Sequence, residues 1–172
     1  MAILAIRIYP DPILRVKCRP VEAFDAGLRK LAANMVETMH AAPGVGLAAP
    51  QVGVDLRLAV VDISVGEDPQ AILVLANPEI VRREGMETDT EGCLSLPGIT
   101  DKVDRPVAVT LRAQGLDGTP FEIAAEEYLA RAILHEVDHL DGVLFTDHLR
   151  GLRRERSRRQ LRKLAEDQEV TV

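Results

Sequence analysis

The pentapeptide His135-Glu136-Val137-Asp138-His139 is an H-E-x-x-H motif. On a helix a spacing of four returns a side chain to the same face, so both imidazoles can hold one metal ion while Glu136 reaches a water beside it. Two histidines leave such a site incomplete, because a catalytic metal takes three protein ligands and keeps one position open. The extended pattern H-E-x-x-H-x-x-G-x-x-H holds as far as Gly142 and then fails, with Phe145 where the third histidine belongs and His148 three residues too late. A glutamate from a later helix is conceivable at Glu155 or Glu166, but both lie in or beside a basic tail with no apolar core around them. That leaves Cys93, in Glu91-Gly92-Cys93-Leu94-Ser95. A thiolate is a strong ligand for a divalent transition metal, and Gly92 lets the backbone approach closely.

The segment Gly44-Val45-Gly46-Leu47-Ala48-Ala49-Pro50-Gln51 matches the dinucleotide fingerprint G-x-G-x-x-G/A in form only. A dinucleotide loop follows a strand and opens a helix, whereas this one follows a helix and meets Pro50. Its glycines suit backbone donors and acceptors laid alongside an extended peptide, and Gln51 offers a neutral amide donor. The chemistry of the whole set is hydrolysis: water activated on a divalent ion, Glu136 as its base, and fixed donors against the charge that develops on a carbonyl oxygen.

Two helices must carry these groups. Leu28, Leu31, Ala32, Met35, Val36 and Met39 recur at intervals of three and four between Asp25 and His40, which predicts an amphipathic helix with Asp25 as N-cap and methionines in the core. A second helix runs from near Glu126 to Asp141-Gly142, where glycine supplies a left-handed stop. Between them, β-branched runs at 56–63, 71–76, 80–83 and 107–112 read as short strands, and Gln114–Gly118 as the turn of a hairpin to 120–125. Without alternating β-α-β units this is an α+β fold, with short antiparallel or mixed strands around a central helix that carries the H-E-x-x-H motif. A third helix spans roughly Thr146 to Glu166, with Leu149 and Leu152 at one end, Leu161, Leu164 and Ala165 at the other, and arginines between.

A chain of 172 residues is the size of one domain. It divides into a catalytic body, 1–149, and a basic C-terminal helix and tail, 150–172, of the same domain. The tail holds eight basic and four acidic residues and the body 13 basic and 23 acidic, so a net charge of −6 separates into +4 and −10. That asymmetry suggests a polyanionic partner for the tail, against the alternative of a solvated face. No apolar run nears the roughly 20 residues that cross a bilayer and the start lacks a signal peptide, so no membrane partner and a cytoplasmic location are expected. Cys18 is expected to be a partly exposed free thiol, His40 to cap the first helix through its charge, and His148 to meet Asp147 or solvent.

The three motifs GVGLAAPQ, EGCLS and HEVDH, in that order, resemble those of the peptide deformylases, and the likeness extends from YPDPILR at the start to the basic C-terminal helix. The resemblance implies removal of the N-formyl group from nascent chains beginning with formylmethionine. It implies a divalent metal, natively iron(II) with zinc, nickel or cobalt compatible, held by Cys93, His135 and His139. Glu136 would be the general base and acid, and Gln51 with the Leu94 N–H would stabilise the oxyanion. Val45, Gly46 and Gly92 would line the substrate groove, and the basic helix would dock on the ribosome. The chain departs from the family at Leu134, often glutamine, and at Thr100, often arginine; neither is a ligand position. Two other readings are a zinc endopeptidase and a metal-stabilised nucleic-acid-binding module. Phe145 weakens the first, and Glu136 the second, since a purely structural site needs no base.

Overall fold

A computed structural model describes residues 1–171; Val172, the last residue of the predicted tail, lies outside the described residues. Helix α1 is Ala26–Ala41, and the Asp25 side chain accepts the Leu28 N–H at 3.0 Å as the N-cap should. Its buried stripe, Leu28, Ala32, Met35 and Met39, packs with Leu47, Leu58 and Val60, so the methionines are core as expected.

Seven strands follow among the described residues: β1 (Gly46–Ala48), β2 (Leu58–Val61), β3 (Leu73–Glu84), β4 (Glu87–Gly92), β5 (Thr100–Arg105), β6 (Ala108–Gln114) and β7 (Pro120–Glu126). Five form a sheet in the order β1-β2-β3-β6-β7, while β4 and β5 form a separate pair, and every pairing is antiparallel. Helix α2, Glu127–Leu140, packs on β1, β2, β6 and β7, with Ile133 and Leu134 buried beside Leu111 and Val109. The α+β class holds, with the H-E-x-x-H helix at the centre. Gly142 ends the helix region at φ +73°, a conformation that suits glycine, and an added Cβ there would strike the Arg15 backbone.

Three elements differ from expectation. The two short strands expected at 71–76 and 80–83 are one strand, β3, broken internally by a register shift between Ala76 and Glu79. Pro78 cannot donate to the ladder, and Asn77 repairs the break with its side chain: Oδ1 accepts the Val21 N–H at 2.8 Å, and Nδ2 donates to Val21 O and Gln114 Oε1. The GVGLAAPQ segment contains an edge strand, β1, followed by a 3-10 helix at Ala49–Val52. Helix α3 is Gly151–Val170 and begins five residues later than expected, after a 3-10 helix at Phe145–His148. Leu149 is buried ahead of it, Leu152 is 83% exposed, and only Ser157 and Leu161 are buried along it, so α3 docks by its middle. Leu161 packs with Leu96, Ile99 and Phe145, and Arg156 donates to the buried Asp101 of β5 at 2.6 Å.

Candidate metal centre and active site

His135 and His139 project from one face of α2 towards the loop that leaves β4. There Cys93 Sγ stands 3.3 Å from His139 Nε2, and the two histidine Nε2 atoms are 3.2 Å apart. All three donor atoms lie within 4.8 Å of one another. His135 Nδ1 meets the Glu91 carboxylate at 2.9 Å; a carboxylate only accepts, so Nδ1 carries a hydrogen and the ring is turned with Nε2 towards the cluster. Burial, with the charge of His135 beside it, drives the pKa of His139 well below the ordinary histidine range and keeps it neutral. One soft sulfur and two imidazole nitrogens converging this closely fit a divalent transition ion, which takes each imidazole in its neutral form. Phe145, where a third histidine would have stood, instead stacks on the His135 ring at a centroid distance of 6.1 Å.

Two of these donors, Cys93 and His135, line a cavity of about 380 Å³. Val45, Gly46, Gln51, Gly92, Leu94 and Glu136, all singled out from the sequence, line it. Glu136 is 4% exposed, and its Oε2 is buried with no hydrogen-bond partner among the described residues. Burial, reinforced by the negative charges of Glu91 and Asp138, raises its pKa to about 7. Gly46 is required here, because a Cβ on it would overlap Glu136 Oε1. Gln51 is held at both ends: Oε1 accepts the Ala48 N–H at 2.9 Å, and Nε2 points to Ser95 Oγ at 3.2 Å and Cys93 Sγ at 3.6 Å. Leu96, Ile99 and the half-exposed Tyr128 give the cavity an apolar wall, and Thr90, Glu91, Thr100 and Arg131 border it as well.

Behind the donors lies a buried ionic cluster that the sequence reading did not assemble. Glu91 accepts from Nε and Nη2 of Arg105 at 2.8 and 2.9 Å and from Arg131 at 2.8 Å. Arg105 also donates to Asp138 at 2.6 Å, and Asp138 in turn meets His148 Nε2 at 2.7 Å. Despite its burial, the guanidinium of Arg105 and the His135 imidazole hold Glu91 well below the usual carboxylate range. Arg131 was legible in principle: it lies four residues before His135, on the ligand face of α2.

Three smaller expectations are corrected. Cys18 is buried at 4% exposure, enclosed by Ala48, Ala59 and Leu140. His40 bonds Asp62 at 2.7 Å instead of serving only the helix end. His148 is 39% exposed to solvent, as one of its two expectations had it, but its side-chain partners are Asp138 and Arg105, not Asp147.

The family model described as polypeptide deformylase matches residues 3–155. The chain belongs to that family. A peptide deformylase of Acidobacterium capsulatum is 51% identical over 164 residues, covering 95% of this chain and 96% of the relative. One from Clostridium botulinum is 56% identical over 147 residues, or 86% of this chain and 97% of the relative. Among solved structures, the peptide deformylase of Legionella pneumophila superposes with a TM-score of 0.89 at 46% identity, covering 98% of both chains. That of Thermus thermophilus also gives 0.89, at 43% identity over 96% of this chain and 99% of the other. As a peptide deformylase, the chain is a metal-dependent hydrolase that removes the N-formyl group from nascent peptides. The endopeptidase and nucleic-acid-module readings are set aside by this membership. No helix among the described residues is long and apolar enough to cross a membrane.

Proposed function

We propose that Cys93, His135 and His139 hold the metal and that Glu136 moves the proton in deformylation. The observation that carries this is the Glu136 carboxylate, buried beside the three converging donors with Oε2 engaged by no other group among the described residues. A divalent ion bound there supplies Lewis acidity, polarising a carbonyl and acidifying water. Glu136 takes a proton from the attacking water as its oxygen bonds to the formyl carbon. The Gln51 Nε2–H and the Leu94 N–H donate to the formyl oxygen as negative charge develops on it. In comparable sites each such donor contributes about 3–4 kcal/mol. Glu136 then gives its proton to the departing nitrogen as the C–N bond breaks, releasing formate and a free α-amine.

Val45, Gly46 and Gly92 border the groove along which the peptide lies. A formyl carbon carries hydrogen where a peptide carbonyl carries a chain, so the close walls admit formamide and exclude ordinary amides. The thiolate and two imidazoles suit iron(II) as the native ion, with zinc, nickel or cobalt able to replace it. Nascent chains beginning with formylmethionine are the substrates, met in the cytoplasm at the ribosome, to whose RNA the arginines of α3 bind.

Substituting Glu136→Gln on the metal-loaded protein tests the central role. Formate release from a formyl-Met dipeptide should fall at least about a hundredfold with metal content unchanged. Near-normal turnover would remove Glu136 from the proton path, and lost metal would make it a ligand.

A further inference from the structure

Asp62 touches both ends of the loop that forms one wall of the metal-site cavity. The loop leaves α1 after Ala41, one residue beyond His40, and runs through Pro43 and Gly44 to Val45 and Gly46, the last four of which line the cavity. At the far end the Asp62 N–H donates to Val45 O at 2.8 Å, one step beyond the Gly46–Val61 pairing of β1 with β2. At the near end the His40 Nε2–H donates to Asp62 Oδ2 at 2.7 Å. The carboxylate is fully buried and its other lone pairs are filled, by Gly66 N at 2.9 Å and by Ser64 N and Oγ at 2.9 and 2.6 Å. It is thereby fixed to the β2 side, and His40 is the side chain through which it grips the α1 side.

The loop has little clearance over the site. A Cβ on Gly46 would overlap Glu136 Oε1, and one on Gly44 would come within 2.9 Å of Leu94 Cδ1. A shift of a few tenths of an ångström in this wall therefore alters the width of the cavity beside the reacting groups. The metal donors stand on α2 and on the loop after β4, to which neither His40 nor Asp62 bonds.

We infer that His40 and Asp62 form a clasp that positions residues 41–46 as the wall along which the substrate's peptide chain lies, making His40 a positioning residue for peptide binding. The inference rests on reading Val45 and Gly46 as the border of the peptide groove. The clasp acts on KM for longer peptides, and leaves metal content and kcat near their original values.

The test uses the full-length metal-loaded protein, as wild type, His40→Ala and His40→Gln, with formyl-Met-Ala and formyl-Met-Ala-Ser-Ala as substrates. Wild-type KM should be lower for the longer peptide. His40→Ala should raise KM for the longer peptide about fivefold, the weight of one positioning hydrogen bond, with kcat within about twofold. His40→Gln, whose Nε2–H can reach Asp62, should restore KM. An unchanged KM in His40→Ala, even with a lowered thermal midpoint, makes the pair merely a support for the end of α1 and overturns the clasp. Loss of metal or of kcat together with the rise in KM overturns it as well. Equal wild-type KM for the two peptides removes the groove reading itself, and the clasp with it.

Discussion

The Nδ1–H of His135 donates to a Glu91 carboxylate whose two oxygens are also held by guanidinium groups, Oε1 by Arg105 and Oε2 by both Arg105 and Arg131. Glu91 is 5% exposed, so it serves at once as the counter-charge of two buried cations and as the group that orients His135, a proposed metal ligand. A buried ion pair of this kind contributes little compared with an apolar replacement of both partners, but removing one partner leaves the other uncompensated.

Replacing Glu91→Gln should therefore cost stability and metal affinity together. The amide keeps the shape but leaves the guanidinium groups of Arg105 and Arg131 without their shared anion, at a cost of about 3–5 kcal/mol. Metal affinity should fall roughly 10- to 100-fold as His135 loses its orienting partner. Denaturant unfolding of the metal-free variant isolates the first effect, and competition with a chelator measures the second.

Much of this architecture is legible in the sequence because it is local. The stripe from Leu28 to Met39 and the i, i+4 histidines are periodic within one helix, and Cys93 is the remaining soft donor once Phe145 breaks the downstream pattern. The β4–β5 pair was not legible because three of its inward positions, Glu91, Asp101 and Arg105, are charged, and Val103 alone among them is apolar, too little to make an alternation. Their burial depends on partners far along the chain: Arg105 meets Asp138 across 33 residues and Asp101 meets Arg156 across 55. The start of α3 was misplaced for a related reason, since Phe145, Thr146 and Leu149 are buried by the fold around the metal-site helix and not by helical periodicity.

The two cysteines should differ sharply in reactivity. Burial, with help from the charge of Asp55, raises the Cys18 thiol to about 11, and Cys18 is enclosed by apolar side chains. Cys93 borders the cavity. A thiol-specific reagent applied to the folded, metal-free protein should modify Cys93 and spare Cys18 until the protein is unfolded. Cys93→Ala should lose the metal while Cys18→Ala keeps it. X-ray absorption of the loaded protein should show one sulfur in the shell, and a purely nitrogen and oxygen shell would remove Cys93 as a ligand.

Asp62 should contribute an acid limb to stability. Burial opposes its ionisation, but hydrogen bonds from Ser64, His40 and Gly66 outweigh burial and lower its pKa from 3.8 to about 2. The folded value lies below the unfolded one, so the stabilisation is fully present above about pH 4 and is lost as the pH falls through 2. Its size is about 2 kcal/mol. Unfolding free energies of metal-free wild type and Asp62→Asn should differ by at least this much at pH 6 and converge towards pH 2. A gap that stays constant across that range would show that the carboxylate's charge is not what the loop from Asp62 to Asp68 depends on.

The exposed arginines of α3 can be separated from its docked face. Arg158, Arg159 and Arg162 are exposed, whereas Ser157 and Leu161 are buried and Arg156 pairs with Asp101. Truncation after Leu149 would remove both kinds of residue and uncover Leu96 and Ile99, which also line the cavity, so it confounds binding with stability. Charge reversal by Arg158→Glu, Arg159→Glu and Arg162→Glu leaves the buried face in place. The thermal midpoint should move by only a few degrees, as exposed positions contribute little, and formate release from a free formyl dipeptide should be unchanged. Co-sedimentation with ribosomes should be lost in the triple variant, and in the wild type it should weaken by orders of magnitude between about 50 and 200 mM salt, as phosphate contacts do. If the triple variant sediments with ribosomes as well as the wild type at low salt, the arginines are a solvated face, and the encounter with nascent chains depends on the catalytic groove alone.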